Sequence, residues 1–353
     1  MDWGRSYTAK WRVMHVEPET WADDRELPSA TSISVSKDGT DSVPLLETGT
    51  MDVDMDIEET FTDGWYRIEM LAIQYDSDGG RNAERYPIAT LLFQASSDVI
   101  NRGNKVVSLN GHSALKPAAD RMLLKGTYAP KGIGIGYYCR KLLGECTPAP
   151  VIVDSEETYL SDHFVFDVGM SYLEAIWQVL DGSGWCMQID GYGQIHILKR
   201  PTEPALVIDR ENSKLLSPEI SGERDISDVP NRYYVVDGEE TVIVTNENPA
   251  SPSSYQARGN RWIDYVDSYP VRLNGETLTA YANRQLTSLS TIYRKKTYSR
   301  EFRPEVHPFD IVRGSLASLD MIDDMRVLSQ DITCDVGVYV TETVGIEEVL
   351  YEI

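Results

Sequence analysis

The chain has 353 residues, 41% hydrophobic and 25% charged, which is enough for two or three units that each bury a core. Its 33 Lys and Arg face 56 Asp and Glu, a formal charge of −23, and such a polyanion has no general affinity for nucleic-acid phosphates or anionic lipid heads. Composition therefore weighs against specific nucleic-acid binding and against stable membrane insertion, but not against a surface past which DNA slides without sticking.

No apolar run approaches the roughly 20 residues that span a bilayer. The opening Met1-Asp2-Trp3-Gly4-Arg5 carries no leader pattern, and the four cysteines (Cys139, Cys146, Cys186, Cys334) are too scattered for a disulfide framework. A soluble protein made in a reducing cytoplasm is the expectation. The charge is unevenly spread. Residues 1–100 carry 20 acids and 8 bases, residues 101–205 carry 11 and 10, and residues 206–353 carry 25 and 15. Two acidic ends flank a nearly neutral middle.

In chain order, the first segment reads as β. Trp11 to Val16 and Thr31 to Ser36 are predicted strands, and Thr50 to Glu58 shows strict alternation. Met51, Val53, Met55 and Ile57 point one way, and Asp52, Asp54, Asp56 and Glu58 the other. Successive acids on such a strand lie about 6.6–6.8 Å apart, so they repel one another and must face water. Trp65 to Tyr75 and Tyr86 to Gln94 follow, separated by the turn-rich stretch Asp76 to Gly80.

The middle segment predicts helices over Ser113–Leu124, Gly136–Leu143 and Ser171–Leu180. In the last of these, Tyr172, Leu173, Ile176, Val179 and Leu180 form one apolar face. A hairpin follows, Trp185–Ile189 and Gln194–Leu198, around Asp190-Gly191-Tyr192-Gly193. The last segment predicts a hairpin at Asp237-Gly238, a long helix over Glu276–Tyr293, and closing strands broken at Pro308, Gly314, Gly337 and Gly345.

Motifs that carry chemistry are incomplete. Asp52-Val53-Asp54-Met55-Asp56 opens like a calcium loop but lacks the Gly and the Glu that such a loop needs at its sixth and twelfth places. Gly132-Ile133-Gly134-Ile135-Gly136 lacks the third glycine of a dinucleotide fingerprint, and reads as a flexible entry to a helix. Ser161-Asp162-His163 places triad residue types side by side, whereas a triad is assembled in space. Glu156-Glu157 and Asp323-Asp324 are paired carboxylates at expected exposed turns. The expectation is no enzyme, no cofactor and no metal.

Three stretches, taken in order, carry a resemblance. They are Ser171–Leu180 with Gly184-Trp185-Cys186 and Asp190–Ile195; Asn231-Arg232-Tyr233-Tyr234-Val235-Val236; and His307-Pro308-Phe309-Asp310-Ile311-Val312 after a long helix. Together they resemble the tail hub, or baseplate-hub, family of tailed bacteriophages and related contractile tail-like particles. The resemblance implies an α+β, mainly β fold: two tube-forming antiparallel β-barrel-like domains with an α/β insertion between them. Residues 1–102, completed by about 203–228, would form the first tube domain, 103–202 the insertion, and 229–353 the second tube domain with its helix at about 276–293.

The implied function is structural. A homotrimer would form a pseudo-sixfold ring joining a tail tube or distal tail ring protein to a spike, tip or fibre protein. It would belong to the virion, at the tail tip or baseplate, after assembly in the host cytoplasm. Asp52, Asp54, Asp56 and Glu58 are then candidates to line an acidic channel for DNA passage. Two other readings stay open. A tail-tip adhesin for cell-surface carbohydrate would show exposed aromatics among the 20 Tyr. A cell-wall hydrolase would show convergent carboxylates or a metal site.

Overall fold

A computed structural model describes residues 1–27, 29–39, 47–56, 60–75, 80–101, 104–181, 183–209, 221–223, 225–316 and 321–351. The alternating N-terminal stretches form β1 (Thr8–Glu17), β2 (Ala22–Glu26), β3 (Ala30–Asp38), β4 (Glu47–Asp56), β5 (Gly64–Tyr75), β6 (Arg81–Asn101) and β7 (Asn104–His112). The middle holds α1 (Lys116–Asp120), β8 (Thr127–Ala129), α2 (Ile135–Gly144), β9 (Val151–Val153), β10 (Phe164–Phe166), α3 (Tyr172–Asp181), β11 (Trp185–Ile189) and β12 (Ile195–Lys199). Next come β13 (Pro204–Ile208), β14 (Ser221–Glu223), β15 (Arg232–Asp237), β16 (Glu240–Thr245) and β17 (Asp264–Asp267). The chain closes with α4 (Leu278–Leu289), β18 (Thr291–Glu301), β19 (Ile311–Gly314), β20 (Asp324–Cys334) and β21 (Val338–Val349).

The protein is mainly β, as expected. Among the described residues its principal sheet has 13 strands and runs β14-β18-β21-β20-β3-β4-β7-β6-β5-β1-β2, with β19 and β13 branching from β20. The two ends of the chain meet where β3 pairs antiparallel with β20, Val35 opposite Ile332. None of the sheets among the described residues closes into a barrel. To close, the first seven strands would have to pair β2 with β3, but the free edge of β3 is taken by β20. Alternation of apolar and polar residues is the same in an open sheet and a closed one, so the sequence pattern could not separate them.

Helix α3 forms where the periodicity predicts. Its start is a reciprocal capping box: Glu174 N–H donates to Ser171 Oγ (3.1 Å), and Ser171 N–H donates to Glu174 Oε2 (2.9 Å). Leu173, Ile176, Val179 and Leu180 are buried against a core that also contains Trp185, Ile195 and Ile197 of the hairpin. Tyr172, expected on that face, is only half-buried, beneath the Arg121 guanidinium at 5.1 Å.

Three local expectations fail for tertiary reasons. The predicted helix over Ser113–Leu124 is confined to the five residues of α1. Beyond Asp120 the chain turns extended to pair with the segment entering α3: Tyr172 N–H donates to Arg121 O (2.9 Å) and Leu123 N–H to Met170 O (2.8 Å). The predicted helix over Glu276–Tyr293 begins later, at Leu278, and stops at Leu289. Thr291, Ile292 and Tyr293, β-branched or aromatic, pair instead with Val349, Glu348 and Glu347 of β21. Gly345 does not break a strand but lies within β21, where a Cβ would meet the Tyr293 ring at 2.6–2.8 Å. Among the described residues no helix is long and apolar enough to cross a membrane.

Candidate functional surface

Strands β18, β21, β20, β3, β4 and β7 are consecutive neighbours, and one face of all six is outward and hydroxyl-rich. Directly opposed residues share a face of a sheet, so the pairing traces this one across the ladder. Thr297 opposes Thr343, Ser299 opposes Thr341, and Thr341 in turn opposes Asp331. Asp331 opposes Ser36, Ser34 opposes Thr50, and Asp52 has Ser32 on one side and Ser108 on the other. Hydroxyls bond across the strands: Thr297 with Thr343 (3.0 Å), Ser299 with Thr341 (3.1 Å) and Ser34 with Thr50 (2.8 Å). Ser36 Oγ donates to Asp331 Oδ1 at 2.7 Å. The other face of the same strands is core, with Ile33, Val35, Met51, Val53, Ile332 and Val340 buried.

The acidic strand takes its place in this surface unevenly. Asp52 is half-buried, and both its oxygens accept hydroxyls, Oδ1 from Ser108 (2.7 Å) and Oδ2 from Ser32 (2.9 Å). Asp54 is exposed on the same side of β4. Asp56 ends the strand opposite Asn104, and Glu58 lies outside the described residues. The acids are thus fewer than the hydroxyls around them, a feature the reading of β4 alone missed. Its signal was present in Ser32, Ser34, Ser36 and in Thr341, Thr343, each repeating at period two.

Beneath the face lies a buried polar cluster. Arg300 donates to Glu342 (Nη2 to Oε1 2.6 Å), which also accepts from Gln330 (2.7 Å) and from the Tyr298 hydroxyl (2.5 Å). Burial pushes the Glu342 carboxyl up, but Arg300, Gln330 and Tyr298 together outweigh it and hold the pKa below the usual range.

The residues behind the sequence motifs have structural partners. Glu157 accepts from Gly136 N–H (3.1 Å) and Tyr137 N–H (2.7 Å), so the start of α2 already holds an anion, the chain's own carboxylate. A Cβ on Gly134 would lie 2.6 Å from that carboxylate, which explains the glycines better than a phosphate does. Ser161 Oγ donates to Arg272 O (3.0 Å), and Asp162 pairs with Arg272 (2.9 Å) and Lys131 (3.3 Å). Asp324 is held by Arg313 at 2.6 and 2.8 Å. Cys139 is buried and its thiol is pushed well up by burial, beside the Glu157 charge. Among the described residues no group of three or more His, Cys, Asp or Glu is placed to hold a metal.

The middle unit is fastened to the large sheet by its hairpin turn. Trp21 Nε1 donates to Tyr192 O (2.7 Å), Thr90 Oγ1 donates to Gly191 O (3.0 Å), and the Arg67 guanidinium stands 5.1 Å over the Tyr192 ring. Gln188 Nε2 donates to Pro308 O and Asp310 Oδ1, both at 2.8 Å. The hairpin strand β11 therefore touches the His307–Val312 stretch, 120 residues away in sequence. Beside the hairpin turn His196 Nδ1 lies 2.5 Å from Asp154, and Nε2 3.6 Å from Asp190. Asp190 and then Asp154 outweigh burial and raise the His196 pKa to about 8.

The whole architecture has solved counterparts. The tail protein from Neisseria meningitidis MC58 superposes with a TM-score of 0.66 at 12% identity, covering 98% of each chain. The fold is that of phage tail proteins. The 43 kDa tail protein of prophage MuSo2 from Shewanella oneidensis has a TM-score of 0.58 at 11% identity, covering 95% of this chain and 97% of that one. Prophage tail protein gp18 from Listeria monocytogenes EGD-e has 0.54 at 13% identity, with 95% and 94% covered. No family model and no curated protein sequence matches. At the level of fold, these counterparts agree with the resemblance read from the sequence.

Proposed function

We propose that this chain is a structural, non-enzymatic component of a phage or phage-like tail, a hub whose homotrimer forms a ring between the tail tube and the tip. In this reading residues 1–102 and 229–353 build the ring and 103–202 stand outside it. The observation that carries the proposal is the six-strand hydroxyl face containing Asp52, Asp54 and Asp331. Among the described residues this face is mainly hydroxyl and acid, with the cation Lys295 set opposite Glu223, so it is well hydrated and offers DNA phosphates little to bind, as a channel wall requires. The likeness to tail proteins over nearly the full chain supports the same reading.

The test replaces exposed members of the face, Ser34, Thr50 and Thr341, with Lys. Particles carrying the change are expected to assemble but to deliver DNA poorly at low salt and to recover as salt rises, because each new cation binds phosphate through counterion release. Delivery equal to the parent's at every salt concentration places the face away from the channel. Native mass measurement at high salt tests the trimer. Screening shortens the mutual repulsion of the acidic chains to about 3 Å at 1 M, so a chain still strictly monomeric there, with its tube partner present, defeats the hub reading.

A further inference from the structure

Between α3 and the unit of β15–β17 with α4 lies a cavity of about 390 Å³. Its wall is aromatic. Tyr233 on β15 and Tyr265 on β17 are directly opposed, with rings parallel within 6° and centroids 5.5 Å apart. Tyr233 is buried and Tyr265 is 46% exposed, so the outer ring rests on a buried inner one. Tyr269, 61% exposed, stands at the rim.

The polar groups divide into two kinds. The carboxylates are already engaged: Asp267 Oδ2 accepts the hydroxyls of Tyr233 (2.6 Å) and Tyr281 (2.7 Å), its Oδ1 accepts Tyr269 N–H (2.9 Å), and Asp181 lies 4.0 Å from Arg200. The two side-chain amides are not engaged in this way. The side-chain amide of Gln285, a residue only 9% exposed, has no hydrogen-bond partner among the described residues, nor has the amide of Gln178 across the cavity. Both line the cavity, so a ligand there can use the donor and the acceptor that each amide carries. None of the described residues lining the cavity is Lys, Arg or His, which disfavours phosphates and other anions. With its carboxylates satisfied internally, the cavity also has little to offer a cation.

The geometry points to a binding site for a neutral saccharide, a mono- or disaccharide unit of a larger glycan. One face of a pyranose ring carries axial C–H bonds and lies flat on an aromatic ring, and its hydroxyls both donate and accept, as amides and phenols require. Tyr265 supplies the platform, Tyr269 the rim, and Gln178 and Gln285 the amides. Asp267 is a positioning residue that holds three of the site's groups in place. The cavity falls in the usual size range of small-molecule sites. This inference does not rest on the tail role, and its failure would leave that role untouched.

The test titrates the full chain with maltose, lactose, cellobiose and N,N′-diacetylchitobiose, followed by calorimetry and saturation-transfer NMR, with adenosine and spermine as controls. At least one disaccharide is expected to bind at millimolar or tighter concentration. Gln285→Leu, close in volume, should weaken it about tenfold or more, because the ligand's hydroxyl is then buried unpaired. Tyr269→Ala, at an exposed rim position, should weaken it with no change in melting temperature. The proposal is overturned if no disaccharide binds, if both variants bind like the parent, or if adenosine or spermine alone binds.

Discussion

Replacing Gly191 by Ala tests how the middle unit is attached to the large sheet. A Cβ there would stand 2.1 Å from Pro87 O and 2.4 Å from its carbonyl carbon, both backbone atoms that cannot rotate away. Restoring ordinary contact requires the turn to retreat by about 1 Å, and close-packed interiors do not absorb that freely. The retreat opens Thr90 Oγ1–Gly191 O (3.0 Å) and strains Trp21 Nε1–Tyr192 O (2.7 Å), at residues that are 0% and 8% exposed. Overpacking of this kind costs about 1–3 kcal/mol and each lost hydrogen bond about 1 kcal/mol, so about 2–5 kcal/mol is expected in all. Urea denaturation gives the total, and hydrogen exchange should show protection lost first at Gln188–Gln194. Gly144→Ala is the matched control, because a Cβ there meets nothing within 4 Å. It should shift stability by no more than about 1 kcal/mol. A Gly191→Ala protein within about 1 kcal/mol of the parent would refute the docking argument.

Two further outcomes follow from charged pairs. Arg300→Met strands the Glu342 carboxylate, a residue 0% exposed, and should cost about 3–5 kcal/mol by urea denaturation; adding Glu342→Leu should restore much of the loss, and a single variant as stable as the parent contradicts the assigned pairing. His196 titrates near 8 when folded against about 6.5 when unfolded, so its contribution is fully present below pH 6.5 and is lost as pH rises through 8. Stability should therefore fall between pH 6 and pH 9 in the parent and less so in His196→Gln, read as urea midpoints, whereas equal changes in both would remove His196 as the cause.

Local chemistry was legible in the sequence. The period-two pattern placed β3 and β4 on their strands, Ser171-x-x-Glu174 opened α3, and Asp237-Gly238 turned a hairpin, with Gly238 at φ 62°. Each signal is set by neighbours two to four residues apart, which is the range over which a backbone period acts. What lay beyond that range was decided by packing. Nothing near Val35 announces Ile332 as its partner, so neither the join between the chain's two ends nor the open sheet it leaves could be read. The long helix ended early because β21 offered Thr291–Tyr293 a ladder that helical spacing cannot foresee.

The candidate surface divides the same way. Alternation put Asp52 and Asp54 on the outward side of β4, but only the neighbouring strands supply the hydroxyls of Ser32 and Ser108 that take up the Asp52 charge. The tyrosine cavity shows the limit most plainly. Gln178, Tyr233, Tyr265 and Gln285 come from four separate elements, and each is ordinary in its own segment. Only the tertiary fold brings them around one space, because a cavity is a property of surfaces that fail to meet, and no single stretch of chain encodes that.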